Sequence, residues 1–143
     1  MKYLLFFYLL CCLFACTHKT YKYIVDYDSE PNRYNYCIPN GFQFYGWSGG
    51  HEDERQYWFA DSSVFYITKT KELPNINSEN IKSIQGFYAK LLLSDSIGLE
   101  GVDKNNLYWK HVKLEGFSYG YSNVTSRDLE KFNQIILSVK RKK

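Results

Sequence analysis

From Tyr3 to Ala15 the chain carries no charge, and this run decides how much of it is left to fold. Its thirteen residues are too few for a helix to cross about 30 Å of hydrocarbon. Behind the positive start Met1-Lys2 the run has the length and flanks of a secretory signal. Residues 1–15 are therefore expected to be cut away as a signal peptide. Cys11 and Cys12 would leave with them, so that Cys16 and Cys37 remain.

The run ends Leu13-Phe14-Ala15-Cys16. This resembles the lipobox of bacterial lipoproteins: a Leu three before the cysteine, a small residue directly before it, then the cysteine. Phe14 is bulkier than is usual at its position. The resemblance implies a diacylglycerol on the Cys16 thiol, cleavage before Cys16, and acylation of the new amino terminus. Two or three acyl chains hold stably where one holds marginally. The membrane is then a partner through the lipid on Cys16. Lys19 and Lys22 follow without an acidic cluster, which points to an envelope location on the outer membrane, facing the periplasm. With Cys16 lipidated, Cys37 has no cysteine to pair with in the chain. Within Tyr36-Cys37-Ile38-Pro39 it reads as a small buried hydrophobe.

Residues 16–33 are polar, dotted with tyrosine and turned at Pro31-Asn32, and read as a lipidated tether with room for a short strand at Tyr23–Tyr27. Residues 34–143 read as a single domain with a basic C-terminal tail. Of the 14 Tyr, 10 Phe and 3 Trp, only Tyr3, Phe6, Phe7, Tyr8 and Phe14 precede Cys16. The domain thus keeps nearly all its rings, which suit half-buried pleated surfaces. Strands are expected at Tyr36–Ile38, Phe42–Trp47, Gln56–Ala60, Ser63–Thr68, Leu107–Leu114 and Phe117–Val124. Ser48–Arg55 and Ser94–Asn106 read as loops. Ile81, Ile84, Tyr88 and Leu91 predict a helix over Ser78–Leu93. Leu129, Phe132, Ile136 and Val139 predict another over Ser126–Val139, with Thr125 and Asp128 placed as a capping box. The expected class is α+β, a mainly antiparallel sheet with two amphipathic helices packed on it.

The ending, Gly120-Tyr121-Ser122-Asn123-Val124 followed by Phe132 to Val139, resembles the PsbP-like α/β/α family. There too a late hairpin leads into a terminal amphipathic helix. The resemblance concerns fold alone and carries over no functional residue.

Net charge is +3, and the last four residues, Lys140 to Lys143, are all basic. No basic stripe along a folded face is visible in the sequence, so nucleic acid is not an expected partner. His51 stands in Gly50-His51-Glu52-Asp53-Glu54-Arg55, where ligand-type side chains meet. Zinc sites need ligands at fixed spacing on rigid elements, and neither His-Glu-x-x-His nor Cys-x-x-Cys occurs. His111 alternates with Leu107 and Trp109 and reads as a sheet histidine. No phosphate loop occurs either. No catalytic set, metal or cofactor is therefore expected.

What remains is an excess of rings. Trp47, Tyr57, Trp58, Tyr119 and Tyr121, with the polar loop residues His51, Glu52 and Asp53, are the candidate binding residues. Rings with a polar edge make good anchors at interfaces. The leading reading is a non-enzymatic, membrane-anchored module that binds a protein, in an immunity-type or envelope-assembly role. The alternative is a small-ligand or glycan binder using the Trp47 to Trp58 region, and behind it a hydrolase centred on the His51 loop.

Overall fold

The computed structural model describes residues 18–25, 32–49, 52–69, 96–114 and 116–142. Within them the aromatic and β-branched runs form β1 (His18–Val25), β2 (Asn32–Pro39), β3 (Phe42–Gly49), β4 (Glu52–Phe59), β5 (Val64–Thr68), β6 (Ile97–Val102), β7 (Tyr108–Leu114) and β8 (Phe117–Val124). A helix, α1 (Leu129–Ser138), and a short strand, β9 (Lys140–Arg141), follow. A six-stranded sheet runs β3-β4-β5-β8-β7-β6, and a three-stranded sheet runs β1-β2-β9. All pairings are antiparallel.

The expectation of an α+β fold with two amphipathic helices is corrected by this. The fold is β-rich, with one short helix among the described residues. The helix expected at Ser78–Leu93 lies outside the described residues. Three polar stretches that read as tether or loop are strands: His18–Val25, Glu52–Arg55 and Ile97–Val102. The reason is that a ladder needs only a partner backbone, so an edge or hairpin tip can hold polar side chains against their propensity. β1 pairs with β2 over its whole length, from His18↔Pro39 to Val25↔Asn32. The β3–β4 ladder closes as far out as Gly49↔Glu52. β6 and β7 are joined by a tight turn in which Asp103 Oδ1 accepts the Asn105 and Leu107 amides, each at 2.8 Å.

Rings facing inward between the layers make the core. Tyr57, Phe59, Phe65, Ile67, Phe117, Tyr119 and Tyr121 project from the large sheet. Tyr36 and Ile38 of β2, and Phe132, Ile135 and Ile136 of α1, cover them. A bulge where Tyr108 pairs with Val124 and Lys110 with Tyr121 puts an extra residue into β8. Asn123 takes the left-handed conformation there (φ 58°), and both Tyr121 and Val124 can then face the core.

α1 lies in the same layer as β2. The Cys37 amide donates to Ser138 Oγ at 2.9 Å, and the chain then turns into β9, with Lys140 opposite Asn35 and Arg141 opposite Tyr34. The helix begins at Leu129, three residues later than expected, because the Thr125 hydroxyl bonds Asp128 Oδ2 (3.2 Å) rather than a helix amide. Cys37 is half-buried rather than buried. It sits one residue out of phase with Tyr36 and Ile38, and its Sγ lies 3.7 Å from Thr20 Oγ1.

Phe132 is fully buried and meets the Phe59 and Tyr121 rings edge-on at 5.2 and 5.6 Å. Phe132→Ala should lower unfolding free energy by about 3–5 kcal/mol. Urea melts check this, and a loss below about 1 kcal/mol would show that the helix does not hold the layers together.

Candidate functional site

The inner and outer faces of the β3–β4 hairpin behave differently. Inward, Phe42 and Tyr57 pack edge-on at 4.9 Å, and Tyr57 is buried. Its hydroxyl bonds that of Tyr36 at 2.7 Å, and burial pushes the Tyr57 phenol far above its ordinary range. Tyr119 and Tyr121 are buried in the same core. Burial, together with nearby Glu100, pushes the Tyr121 phenol up to about 12. Three of the sequence's candidate binding residues, Tyr57, Tyr119 and Tyr121, are thus core rings, because they fall on the inward phase of their strands.

On the outward phase of the hairpin are Gln43 and Tyr45 of β3, and Glu54, Gln56 and Trp58 of β4. Tyr45 is 57% exposed and stands edge-on to Trp58, ring centroids 6.5 Å apart. Both rings are held by amides. The Tyr45 hydroxyl donates to Gln43 Oε1 (3.1 Å), and Trp58 Nε1 donates to Gln56 Oε1 (2.7 Å). Gln56 Nε2 in turn donates to Glu54 Oε1. A cleft of about 360 Å³ opens beside them, lined by Gly41, Phe42, Gln43, Tyr45, Trp58 and Phe59 among others. At the strand's edge Phe44 is 51% exposed. Its ring lies over Gly46, where a Cβ would come within 2.7 Å of Phe44 Cζ, so this pose needs a glycine at that position.

Trp47, Glu52 and Asp53 are placed by their backbones at the outer end of this hairpin, opposite Glu54, Gly49 and Ser48. The stretch read as a loop is therefore two strand ends. His51 and Cys16 lie outside the described residues. The structure brings Trp58 together with Tyr45, which is two residues from Trp47 and shares its phase.

Another cleft, of about 380 Å³, lies between α1 and the β6–β7 arm, against Glu100, Val102, Tyr108, Tyr121, Leu129 and Asn133. Its polar groups answer one another. The Tyr121 hydroxyl donates to Asn133 Oδ1 at 3.0 Å, and Lys110 pairs with Glu100 at 2.6 Å. No group of three His, Cys, Asp or Glu among the described residues is arranged to hold a metal.

The outer face of the central strands is buried rather than open. Tyr66, His111, Ser118 and Ser122 have almost no exposure. Tyr66 and His111 share a hydrogen bond of 2.7 Å, between the Tyr66 hydroxyl and His111 Nδ1, across Gly120. A side chain at Gly120 would collide with the Tyr66 hydroxyl and the Lys110 carbonyl. Burial, with Lys113 close by, lowers the His111 pKa to about 4. Neither side chain is exposed, and the titration of His111 bears on stability. The folded protein keeps His111 neutral, while the unfolded chain protonates it near 6.5. The contribution is therefore complete above pH 6.5 and is lost as pH falls toward 4. It amounts to at most about 3 kcal/mol. His111→Gln should flatten that part of the stability profile relative to the parent, as read by denaturant melts across the window. Parallel profiles would show that His111 does not titrate with unfolding.

Comparison of the chain with family models, with curated proteins and with solved structures finds no match.

Proposed function

We propose that this protein is a lipid-anchored, non-enzymatic binding module of the bacterial envelope, and that β3 is the strand it offers to a protein partner. The observation that supports this is the character of the edges. A sheet edge presents unpaired amides and carbonyls, and chains commonly guard it with charge, proline or cover. β1 carries Lys19 and Lys22, and its Lys22 carbonyl accepts a 2.6 Å bond from Arg55. β6 carries Glu100 and is interrupted by Gly98 and Gly101. β3 reads Phe-Gln-Phe-Tyr-Gly-Trp-Ser-Gly, without a charge or a proline. Among the described residues it pairs with β4 alone. An extended segment added to β3 would gain ladder hydrogen bonds, with Phe44 and Tyr45 beneath its side chains. Rings already fixed by Gln43 and Gln56 lose little entropy on binding.

A photo-crosslinking residue at Tyr45 should trap one protein in intact cells, and the same residue at exposed Lys104 should not. Phe44→Lys, which places a guard on the edge, should abolish the adduct at a stability cost of only about 1 kcal/mol, the worth of the lost Phe44–Tyr57 ring contact. An adduct that survives Phe44→Lys, or that forms equally from Lys104, refutes the β3 reading.

The anchor has its own test. The intact mass of membrane-extracted protein should equal residues 16–143 plus acyl groups, and Cys16→Ser should remain unprocessed or appear soluble. A mature protein beginning at any other residue overturns the anchor.

A second reading is favoured by the amides beside Tyr45 and Trp58. A glycan laid on those rings would find Gln43 and Gln56 at its hydroxyls. Tyr45→Ala with Trp58→Ala would then abolish retention on a glycan array, and Phe44→Lys would leave it intact.

A further inference from the structure

We propose that the outer face of the three-stranded sheet is a membrane-docking surface for anionic lipid headgroups. In the sequence, Lys22 stands more than a hundred residues from the basic C-terminus. The fold joins them. β9 adds to the free side of β2, so that Lys22, Asn35 and Lys140 lie in one row across three strands. Adjacent strands are about 4.8 Å apart, which places the Lys22 and Lys140 backbones about 10 Å from each other. The Lys142 amide donates to the Arg33 carbonyl at 2.7 Å, extending the ladder by one residue.

Tyr21, Tyr34 and Tyr36 pack inward. The opposite phase therefore carries Lys22, Arg33, Lys140 and Lys142, and all four are exposed. No acidic residue belongs to the described parts of this sheet. Asp26, Asp28 and Glu30 fall in the β1–β2 connection, outside the described residues. The rest of the chain has more acidic than basic residues, so the protein's net +3 is carried by this face.

The occupant follows from charge and from the anchor. β1 begins two residues after Cys16, a reach of about 7 Å. Here the inference rests on the lipid-anchor reading, because acyl chains on Cys16 would keep the sheet at the bilayer surface. Each basic residue held near an anionic surface raises the docked population about fivefold. Four on one flat face favour the sheet lying down on the membrane. The β3 edge, in the other sheet, stays available to a partner.

The test is amine footprinting of the membrane-extracted lipoprotein, reconstituted in vesicles of phosphatidylcholine alone or mixed with phosphatidylglycerol. Labelling of Lys22, Lys140 and Lys142 should fall about tenfold in the anionic vesicles and recover in high salt, as screening of surface charge requires. Exposed Lys104 and Lys131 should label equally in both. Lys140→Glu with Lys142→Glu should restore labelling of Lys22 in anionic vesicles. Equal labelling of Lys22, Lys140 and Lys142 in both vesicle types overturns the proposal. So does protection of Lys104 or Lys131 in their place, which would put another face on the membrane. Flotation with the neutral vesicles reports the anchor separately, so loss of the anchor and loss of the basic face are distinguishable.

Discussion

Tyr36 and Tyr57 join their hydroxyls at 2.7 Å in the middle of the core, and the two layers are organised around that bond. Each phenol is buried and bonded to the other, with Arg55 also against the Tyr36 hydroxyl, so neither is left unsatisfied. Their rings do the rest. Tyr36 stacks on Tyr21 and meets Phe65, while Tyr57 meets Tyr21, Phe42 and Phe44. One pair of tyrosines thus fixes how β1 and β2 lie over β3, β4 and β5. A core of tyrosines rather than leucines gives directional contacts, and these specify a register that uniform aliphatic packing would leave looser.

That arrangement divides the rings of β3 and β4 into two populations. The inward phase is spent on packing, and the outward phase leaves Tyr45 exposed and Trp58 half-buried, both fastened by glutamines. The same strand, β3, is an edge of its sheet that pairs with β4 alone among the described residues, and it carries neither a charge nor a proline. Exposed rings and an open backbone edge coincide there. The second cleft differs in chemistry rather than in access: there Tyr121 bonds Asn133 and Lys110 pairs with Glu100.

The small sheet does for charge what the large sheet does for rings. β9 is two residues long, yet its pairing with β2 carries the basic C-terminus beside Arg33, one strand away from Lys22. What the sequence shows only as a basic C-terminal run becomes part of a face. The Cys37 amide bound by Ser138 fixes where the helix ends, and so fixes which basic residues enter the sheet.

Most of the strands were legible because their periodicity is local. Phe42–Trp47, Ser63–Thr68, Leu107–Leu114 and Phe117–Val124 are strands where aromatic and β-branched runs place them. The helical stripe of Phe132 and Ile136 was equally plain. Strands held by a neighbour's backbone were not legible: His18–Val25, Glu52–Arg55 and Ile97–Val102 contain too many polar residues to announce themselves. Nor could the sequence tell which rings were surplus. Tyr57 and Trp58 are adjacent in the chain and alike in chemistry, yet one is sealed in the core and the other lies beside an open cleft. The sequence by itself determined the strand-rich character, the lipobox resemblance at Cys16 and the identity of the rings. Tertiary structure alone decided strand order, the face each ring serves, and the meeting of Lys22 with Lys140, because those depend on which backbones pair across long separations.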